Sequence, residues 1–310
     1  MKYRRLGTTN LRVSVIGVGT WQYGGEWGKQ YEQPEVNRIL KRAKELGINF
    51  IDTAECYGDH VSEALIGEAI KSDRKEWIVA TKFGHKFHAN FTRTDERTAK
   101  DAVKQFEDSL RALKTDYVDI LQYHSIRNSE FDNEELQQTL IKLRHQGKVL
   151  HIGNSISPPD NIHQTDGADK AQVQTIQVVY NRLDRVAEKQ VLPSCQRQNL
   201  GVLARVPLAS GYLSGKYKPG THFPANDVRE QWRKPDADER LKEVERIAQS
   251  EVPKGVPMAQ WALAWCLQHP AVTMVIPGCK NVEQVEQNAK AAELEMVRED
   301  HPQAWNGPVM

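Results

Sequence analysis

The strongest constraint on the fold of this chain is an alternation, repeated eight times, of a short apolar run with an amphipathic helical stretch. Strand-length apolar runs lie at residues 15–18, 49–51, 77–80, 117–121, 149–152, 175–178, 201–204 and 272–276. Helical periodicity follows at 34–46, 61–71, 97–113, 133–146, after Pro158-Pro159, at 187–198, at 236–250 and at 281–292. Parallel strands need such crossover helices, because a tight turn cannot join them. Eight pairs predict an α/β chain closed into a (β/α)8 TIM barrel.

An open, doubly wound sheet is the alternative architecture. It usually has fewer strands and a glycine fingerprint after the first strand, and no GxGxxG motif occurs here. Two additions to the barrel are predicted: an N-terminal β-hairpin within residues 1–15, and a long loop (206–234) with an extra helix after strand seven. No linker or repeat divides the chain, so residues 1–310 are expected to form a single domain.

Charge and cysteine content exclude several classes of function. Lysine and arginine number 42 and aspartate and glutamate 41, a net charge of +1 that favours neither nucleic acid nor an anionic membrane. No run approaches the roughly 20 apolar residues of a membrane span. The four cysteines are scattered and form no CxxC pair, which is typical of the reducing cytosol. We therefore expect a cytoplasmic protein. We also expect a monomer or a weak oligomer, which the charge does not decide.

Four polar residues follow or end the apolar runs of neighbouring strands. Asp52 ends the second strand, with Tyr57 in the loop beyond it, Lys82 ends the third and His124 ends the fourth. Singly, each residue type is common at a turn, on a solvated surface or in packing. Together they are expected at one end of the barrel, the carboxyl end, where such folds carry their chemistry.

The combination suits the polarisation and protonation of a carbonyl group. A phenol has a pKa of about 10, and a neighbouring ammonium such as Lys82 would lower it by stabilising the phenolate. Asp52 could neutralise that buried ammonium, and His124 could orient a carbonyl oxygen. No residue here donates hydride, so a nicotinamide cofactor would be needed.

No metal site is expected. The HKFH segment, His85 to His88, has an HxxH spacing but no set of carboxylates or cysteines beside it, so we interpret it as a solvated loop or pocket rim. Cys56, beside Tyr57, and Cys279 are interpreted as packing residues. A redox role for either thiol stays open.

Several segments resemble the aldo-keto reductase family in its order along nearly the whole chain. They are GVGTWQYGG, FIDTAECYG, SEALIGEAI, IVATKFG, SLRALKTDYVDILQYH, GKVLHIGNS, QVVYN, PLASGYLSGKY and IPGCKNVEQVEQN. The PLASGYLSGKY loop and the IPG ending resemble the bacterial stress and inositol-operon reductases and the β subunits of voltage-gated potassium channels. The resemblance implies a barrel that binds extended NADP(H) without a Rossmann fold, with NAD(H) as an alternative cofactor.

The resemblance also implies roles for individual residues. Tyr57 would donate the proton, Lys82 and Asp52 would tune the acidity of Tyr57, and His124 would orient the substrate carbonyl. Trp21, Tyr57 and His124 would form the substrate pocket. Contacts to the cofactor would come from Gly19, Thr20, Trp21 and Asp52 at the nicotinamide, Ser155 and Gln177 at its carboxamide, Tyr180 stacked on its ring, Pro207, Leu208, Ser210, Leu213, Gly215 and Lys216 at the pyrophosphate, and Pro277, Gly278, Lys280, Gln284, Gln287 and Asn288 at the adenosine.

Two departures from the family pattern affect these contacts. Ile156 stands where many relatives have asparagine. Gly278-Cys279-Lys280 and Gln284 replace a Lys-Ser pair and an arginine, which leaves Lys280 as the main cation for a 2′-phosphate. The leading hypothesis is NAD(P)H-dependent reduction of small aldehydes and some ketones. The alternatives are a redox-sensing accessory subunit with slow chemistry, and a Schiff-base aldolase using Lys82, which leaves the cofactor segments unexplained.

Overall fold

The computed structural model describes residues 1–231, 235–305 and 307. Its strands are β1 (Tyr3–Arg5), β2 (Arg12–Ser14), β3 (Val18–Gly19), β4 (Phe50–Asp52), β5 (Ile78–Phe83), β6 (His85–Ala89), β7 (Thr92–Asp95), β8 (Val118–His124), β9 (Val149–Ser155), β10 (Thr175–Val179), β11 (Gly201–Arg205) and β12 (Met274–Val275). Its α-helices are α1 (Gln33–Glu45), α2 (Val61–Ile70), α3 (Ala99–Leu113), α4 (Asn128–Phe131), α5 (Glu134–His145), α6 (Ile162–Asp166), α7 (Val191–Arg197), α8 (Val228–Gln231), α9 (Ala237–Ser250), α10 (Met258–Leu267) and α11 (Val282–Lys290).

Eight parallel strands form one sheet in the order β3-β4-β5-β8-β9-β10-β11-β12. Bridges from Ile16 to Val275 and from Gly19 to Gly278 join its two edges. The backbone N–H of Gly19 donates to the carbonyl oxygen of Pro277 at 2.9 Å across the same seam. The sheet therefore closes on itself, and the predicted (β/α)8 fold is confirmed.

The first and last barrel strands are shorter than their apolar runs, with two residues each. β3 pairs with β4 at Val18 and Gly19, opposite Ile51 and Asp52. The middle strands are longer than predicted. β5, β8 and β9 continue through the polar residues that were expected just beyond them, since backbone pairing does not depend on apolar side chains.

The N-terminal hairpin is present as β1 and β2, paired antiparallel from Tyr3 with Ser14 to Arg5 with Arg12. It carries Leu6 and Val13, which are fully buried against the lower interior of the barrel. The apolar side chains of this layer are Phe50, Ala80, Ile120, Leu203, Met274 and Ile276. The hairpin thus closes the N-terminal end of the barrel.

The helices pack around the sheet with their apolar faces inward. In α3, for example, Ala102, Phe106 and Leu113 are buried. Thr98 begins this helix with a capping box, in which its hydroxyl oxygen accepts the N–H of Asp101. Within the described residues, no helix is both long and apolar enough to cross a membrane.

Two segments differ from the sequence predictions. The HKFH segment is not a loop but strand β6 of the antiparallel hairpin β6–β7, although its first residue, His85, lines a cavity as the pocket-rim interpretation expected. The long loop after β11 contains a short 3₁₀ segment (Ala209–Ser214) and α8, while its last residues, 232–234, lie outside the described part of the chain. The extra helix predicted at 236–250 is α9.

Candidate active site

The inward side chains of the barrel strands change from apolar to polar toward the carboxyl end. Side chains two residues apart on a strand share a face, so Phe50 and Asp52 both point inward, as do Ala80 and Lys82. Ile120 is followed in the same way by Gln122 and His124. A polar layer therefore lies directly above the apolar one.

Lys82 is the centre of that layer and is 1% exposed. Its Nζ donates to Asp52 Oδ2 at 2.8 Å, to the carbonyl oxygen of Thr53 at 2.7 Å and to Tyr57 Oη at 3.3 Å. The acid, the cation and the phenol that the sequence indicated are thus in one hydrogen-bonded set.

The other carboxylate oxygen of Asp52 accepts from two amides. Gln177 Nε2 donates to Oδ1 at 2.6 Å and Gln122 Nε2 at 3.2 Å. Ser155 Oγ donates to Gln177 Oε1 at 3.2 Å, which extends the chain across the barrel. These amides hold the Asp52 carboxylate in place. Gln122 was not predicted from the sequence, although its spacing of two from His124 was a usable signal.

Electrostatics keep Lys82 charged and Tyr57 neutral. Burial alone would lower the pKa of Lys82, but Asp52 and then Tyr57 raise it above its ordinary value. For Tyr57, burial raises the pKa to about 12, and the opposing effect of Lys82 is smaller. The expectation that Lys82 would bring this pKa below 10 is therefore wrong in its net direction, because burial of the phenol outweighs the nearby charge. A lysine held as ammonium is also a poor nucleophile, which disfavours the Schiff-base alternative.

The Tyr57 loop is fixed against the loop after β3. A Cβ on Gly24 would lie 2.5 Å from the carbonyl carbon of Tyr57, so only glycine permits the two backbones to approach this closely. The ring of Tyr57 stacks on Trp21 at 6.1 Å between centroids and meets the edge of His124 at 6.3 Å. Trp21, Tyr57 and His124, the predicted substrate pocket, are therefore adjacent.

His124 is held as a neutral imidazole. Burial lowers its pKa well below the ordinary value, and the positive charges of Lys82, Arg93, Arg205 and Arg97 lower it further. Its Nδ1 lies 3.8 Å from Cys56 Sγ and 3.6 Å from Glu55 Oε1. These three residues are the only group in the described chain whose ligand-type atoms lie close enough together to suit a metal, within 4.8 Å of one another.

A buried carboxylate fastens the β6–β7 hairpin over this end of the barrel. Glu26 is fully buried, and its Oε1 accepts the backbone N–H of Phe91 at 2.8 Å. Its Oε2 accepts from Trp21 Nε1 at 2.7 Å and from the guanidinium of Arg93. Glu26 was not predicted from the sequence, because its hairpin partners lie about 65 residues further along the chain and no local pattern marks the contact.

A cavity of about 1240 Å³ extends from the polar layer over the carboxyl end of the barrel. Most of the predicted cofactor and substrate residues line it: Gly19, Thr20, Trp21, Asp52, Tyr57, His124, Ser155, Gln177, Pro207, Leu208, Ser210, Lys216, Pro277, Gly278, Lys280, Gln284, Gln287 and Asn288. Four predicted residues do not: Lys82, which lies behind Tyr57, and Tyr180, Leu213 and Gly215.

Tyr180 is placed away from the cavity, contrary to the expected stack on a nicotinamide ring. Its ring packs on Trp265 with centroids 5.3 Å apart, and its hydroxyl donates to Glu188 Oε1 at 2.7 Å. Tyr180 is three residues after the inward-facing Gln177, and an odd spacing turns a side chain to the other face. The inward position at the neighbouring strand end belongs to Arg205, which the sequence analysis missed.

Arg205 is a cation at the end of β11. Its Nη2 donates to the carbonyl oxygen of Ile156 at 3.3 Å, and its buried Nε makes no hydrogen bond. No carboxylate of the described residues lies within ion-pair distance of this guanidinium. Because its spacing of two from Leu203 marks it as inward, strand alternation could have identified it.

Two lysines, Lys216 and Lys280, lie toward the far end of the cavity. Among the described residues, no carboxylate pairs with Lys216 or Lys280, although both line the cavity. Lys280 Nζ lies 5.7 Å from the ring centroid of Trp27, and burial followed by the charge of Arg229 lowers its pKa. Lys280 lies two residues before α11, next to its N-cap residue Asn281, and the N-terminal N–H groups of a helix favour anions. Such an uncompensated cation suits an anionic ligand.

Comparison with known proteins supports the fold. The family model for the aldo/keto reductase family matches residues 15–304. The chain belongs to the aldo/keto reductase family. An uncharacterized oxidoreductase of Bacillus subtilis is 30% identical over 98% of this chain and 95% of its own length. A putative β subunit of a voltage-gated potassium channel from Schizosaccharomyces pombe is 32% identical over 94% of this chain and 88% of its own.

Solved structures support the same assignment. The holo form of an aldo-keto reductase from Bacillus halodurans superposes with a TM-score of 0.80 at 28% identity, covering 99% of this chain and 97% of that one. This aldo/keto reductase is therefore an oxidoreductase, of a family that acts on small carbonyl compounds and generally uses a nicotinamide cofactor.

Proposed function

We propose that this protein reduces aldehydes and some ketones to alcohols, with NADPH as its preferred cofactor. The observation that carries the proposal is the position of Tyr57 Oη, 3.3 Å from Lys82 Nζ and beside His124 on the wall of one cavity. A bound nicotinamide would supply the hydride. The side chains of this protein would supply the proton and the orientation.

The proton would come from the hydroxyl of Tyr57. Because its pKa is about 12, the phenol is fully protonated at neutral pH and ready to donate to a carbonyl oxygen. The phenolate left behind would be stabilised by the ammonium of Lys82, whose charge Asp52 supports at 2.8 Å. His124 would hydrogen-bond the same carbonyl oxygen from the other side of the pocket. Hydrogen-bond donors and charges held in place around a developing oxyanion are a large source of rate enhancement in enzymes.

The first experiment is to follow NADPH oxidation with a panel of small aldehydes in the wild type and in Tyr57→Phe. Loss of the proton donor is expected to lower kcat/KM by about 10²- to 10⁴-fold. NADPH affinity, measured by quenching of tryptophan fluorescence, should stay within about twofold, since the ring is retained. Tyr117→Phe is the matched control, because Tyr117 precedes β8 at the opposite end of the barrel. Equal turnover in wild type and Tyr57→Phe would rule Tyr57 out as the donor.

The preference for NADPH is proposed from Lys280. A 2′-phosphate would require a cation that is not already paired with a carboxylate. Among the described residues, Lys280 is the nearest such cation to the start of α11. Lys280→Met should weaken NADPH binding by about tenfold to a hundredfold, the strength of one charge-assisted hydrogen bond. NADH binding should change little. Equal losses for both cofactors would mean that Lys280 does not read the 2′-phosphate.

A second candidate function is that of a redox-sensing accessory subunit. It is favoured by the 32% identity with the putative channel β subunit of Schizosaccharomyces pombe. Tight NADPH binding with no turnover across the aldehyde panel would support it. Turnover that depends on Tyr57 would favour the reductase.

A further inference from the structure

A buried carboxylic acid lies directly behind the imidazole of His124. Glu55 is 2% exposed. Its Oε1 accepts the backbone N–H of His85 at 3.0 Å, and its Oε2 is buried with no hydrogen-bond partner in the described structure. A buried carboxyl group with an oxygen left unpaired is costly, and it is common where a group has a functional task.

The side of His124 that faces Glu55 is its Nδ1 nitrogen. Nδ1 lies 3.6 Å from Glu55 Oε1 and 3.8 Å from Cys56 Sγ. The ring edge of His85 also packs on His124, with centroids 4.8 Å apart. Because Nδ1 is turned to Glu55 and Cys56, Nε2 is the nitrogen left for a group in the cavity.

The tautomer of His124 decides whether it can assist a carbonyl. Its pKa is well below the ordinary value, so the ring is neutral near pH 7 and only one nitrogen carries hydrogen. A carbonyl oxygen needs a donor, which requires hydrogen on Nε2 and therefore a bare, accepting Nδ1. A stable arrangement then needs a donor that faces Nδ1.

Glu55 can be that donor only as a carboxylic acid. Burial raises its pKa above the ordinary value, and His85 and Lys82 act in the opposite direction without reversing the shift. Burial also raises the pKa of Cys56, so the thiol beside it keeps its hydrogen and adds a weak second donor.

We propose that Glu55, in its acid form, donates a hydrogen bond to Nδ1 of His124 and so holds the tautomer that presents Nε2–H to a substrate carbonyl. Glu55 is then a positioning residue that acts through His124. This inference rests on the proposed reductase function. No covalent step is involved, and the proton stays on the carboxyl group of Glu55.

The opposite tautomer is a definite alternative, because many charges face this pair. Glu55 is faced by His85 and Lys82, and His124 by Lys82, His85, Arg93, Arg97 and Arg205. The positive charge of Lys82 favours an ionised Glu55, whereas His85, whose pKa burial lowers to about 4, is neutral near pH 7. An ionised carboxylate would accept hydrogen from Nδ1 and leave Nε2 without one. Activity should therefore be full below the pKa of Glu55 and fall as pH rises through it.

The direct test is the tautomer of His124 in the wild type. Protein labelled with ¹⁵N-histidine is examined by long-range ¹H–¹⁵N NMR, with His124→Gln used to assign the signal. Hydrogen on Nε2 near pH 7 is the expected result. Hydrogen on Nδ1 would overturn the inference and leave the reductase proposal intact. This measurement needs no turnover, so failure of the reductase function would be seen separately, as absent NADPH oxidation with every carbonyl.

Two variants extend the test. Glu55→Gln has an amide that donates at every pH, so it should keep the tautomer, keep kcat within about threefold and remove the alkaline fall in activity. Glu55→Leu has no donor and should lower kcat by about tenfold to a hundredfold, as loss of the partner of a functional imidazole does elsewhere, with NADPH affinity unchanged. A Glu55→Gln enzyme that loses activity as Glu55→Leu does would contradict the proposal.

Glu63→Gln is the matched control. Glu63 is also a fully buried glutamate bonded to a histidine Nδ1, that of His60, but it lies on α2 outside the cavity lining. Its pH profile should be that of the wild type. An equal change in both variants would mean that loss of any buried carboxylate alters the profile, and the inference would fall.

Discussion

The two ends of the barrel are built from the same strands but from opposite kinds of side chain. At the N-terminal end, Leu6 and Val13 of the hairpin pack on Phe50 in an apolar layer. Two residues further along β4 and β5, the inward positions hold Asp52 and Lys82. The two layers therefore have different roles. Burial of the apolar layer stabilises the barrel, whereas the charged layer contributes to chemistry.

Among the substitutions that test this difference between the two ends, replacement of the buried Lys82 is expected to have the largest effect. Lys82→Met removes the ammonium beside Tyr57, so kcat/KM should fall by about 10²- to 10⁴-fold. It also leaves the Asp52 carboxylate buried without its cation, so the free energy of unfolding should fall by about 3–5 kcal/mol. Both quantities are measurable, by aldehyde turnover and by urea unfolding.

A double variant separates the two effects. Asp52→Asn with Lys82→Met leaves no unpaired charge, so most of the lost stability should return while turnover stays low. Recovery of turnover in the double variant would show that the ion pair is dispensable for chemistry. Unchanged stability in Lys82→Met would contradict the view that the upper layer is held together by mutual compensation of charges.

Strand alternation explains which parts of this division the sequence could predict. Asp52, Lys82 and His124 were found because each ends an apolar run. The same alternation places Gln122 and Arg205 inward and Tyr180 outward. These orientations were not predicted, because each strand was expected to end with its apolar run. The barrel itself was predictable, since eight crossovers leave few alternatives.

Contacts between distant segments were beyond such reasoning. Glu26 meets Phe91 and Arg93 only because the β6–β7 hairpin folds back over the barrel, which no local periodicity encodes. The net pKa of Tyr57 was likewise unpredictable, because it depends on how completely the phenol is buried and not on its neighbours in sequence.

Substitution of one arginine at each end tests the same difference, with a smaller expected effect on stability and turnover. Arg4, at the N-terminal end, is 2% exposed and donates to the carbonyl oxygens of Val272 at 2.7 Å and Leu267 at 2.9 Å. Arg4→Met should lower the free energy of unfolding by about 3 kcal/mol, because two charge-assisted hydrogen bonds are lost and two carbonyls stay buried.

Arg205→Met should behave in the opposite way. Its guanidinium makes one long hydrogen bond and no ion pair with any described residue, so replacement by an apolar side chain should leave stability unchanged within about 1 kcal/mol or raise it. Turnover should fall only in this variant, since only Arg205 lines the cavity. Similar destabilisation by the two substitutions would break the proposed contrast between the ends.

Acid sensitivity is the smallest expected effect, and both ends should share it. Burial, followed by the charge of Arg4, lowers the pKa of His301 to about 4 at the N-terminal end. Burial, followed by His124, lowers the pKa of His85 to about 4 at the other. The unfolded chain binds protons at these histidines below pH ~6.5 and the folded chain does not, so stability falls as pH drops from ~6.5 toward 4. At pH 5.5 each histidine should account for about 1 kcal/mol.

Unfolding by urea at pH 7.5 and pH 5.5 measures this loss. His301→Gln and His85→Gln should each reduce the acid-induced loss by a similar amount, because both remove a base that is held neutral in the fold. Only His85→Gln should also lower turnover, since only His85 packs against His124 beside the cavity. A His301→Gln variant that keeps the full acid loss would show that burial at the N-terminal end does not hold His301 neutral. The two ends would then differ in proton binding as well as in chemistry.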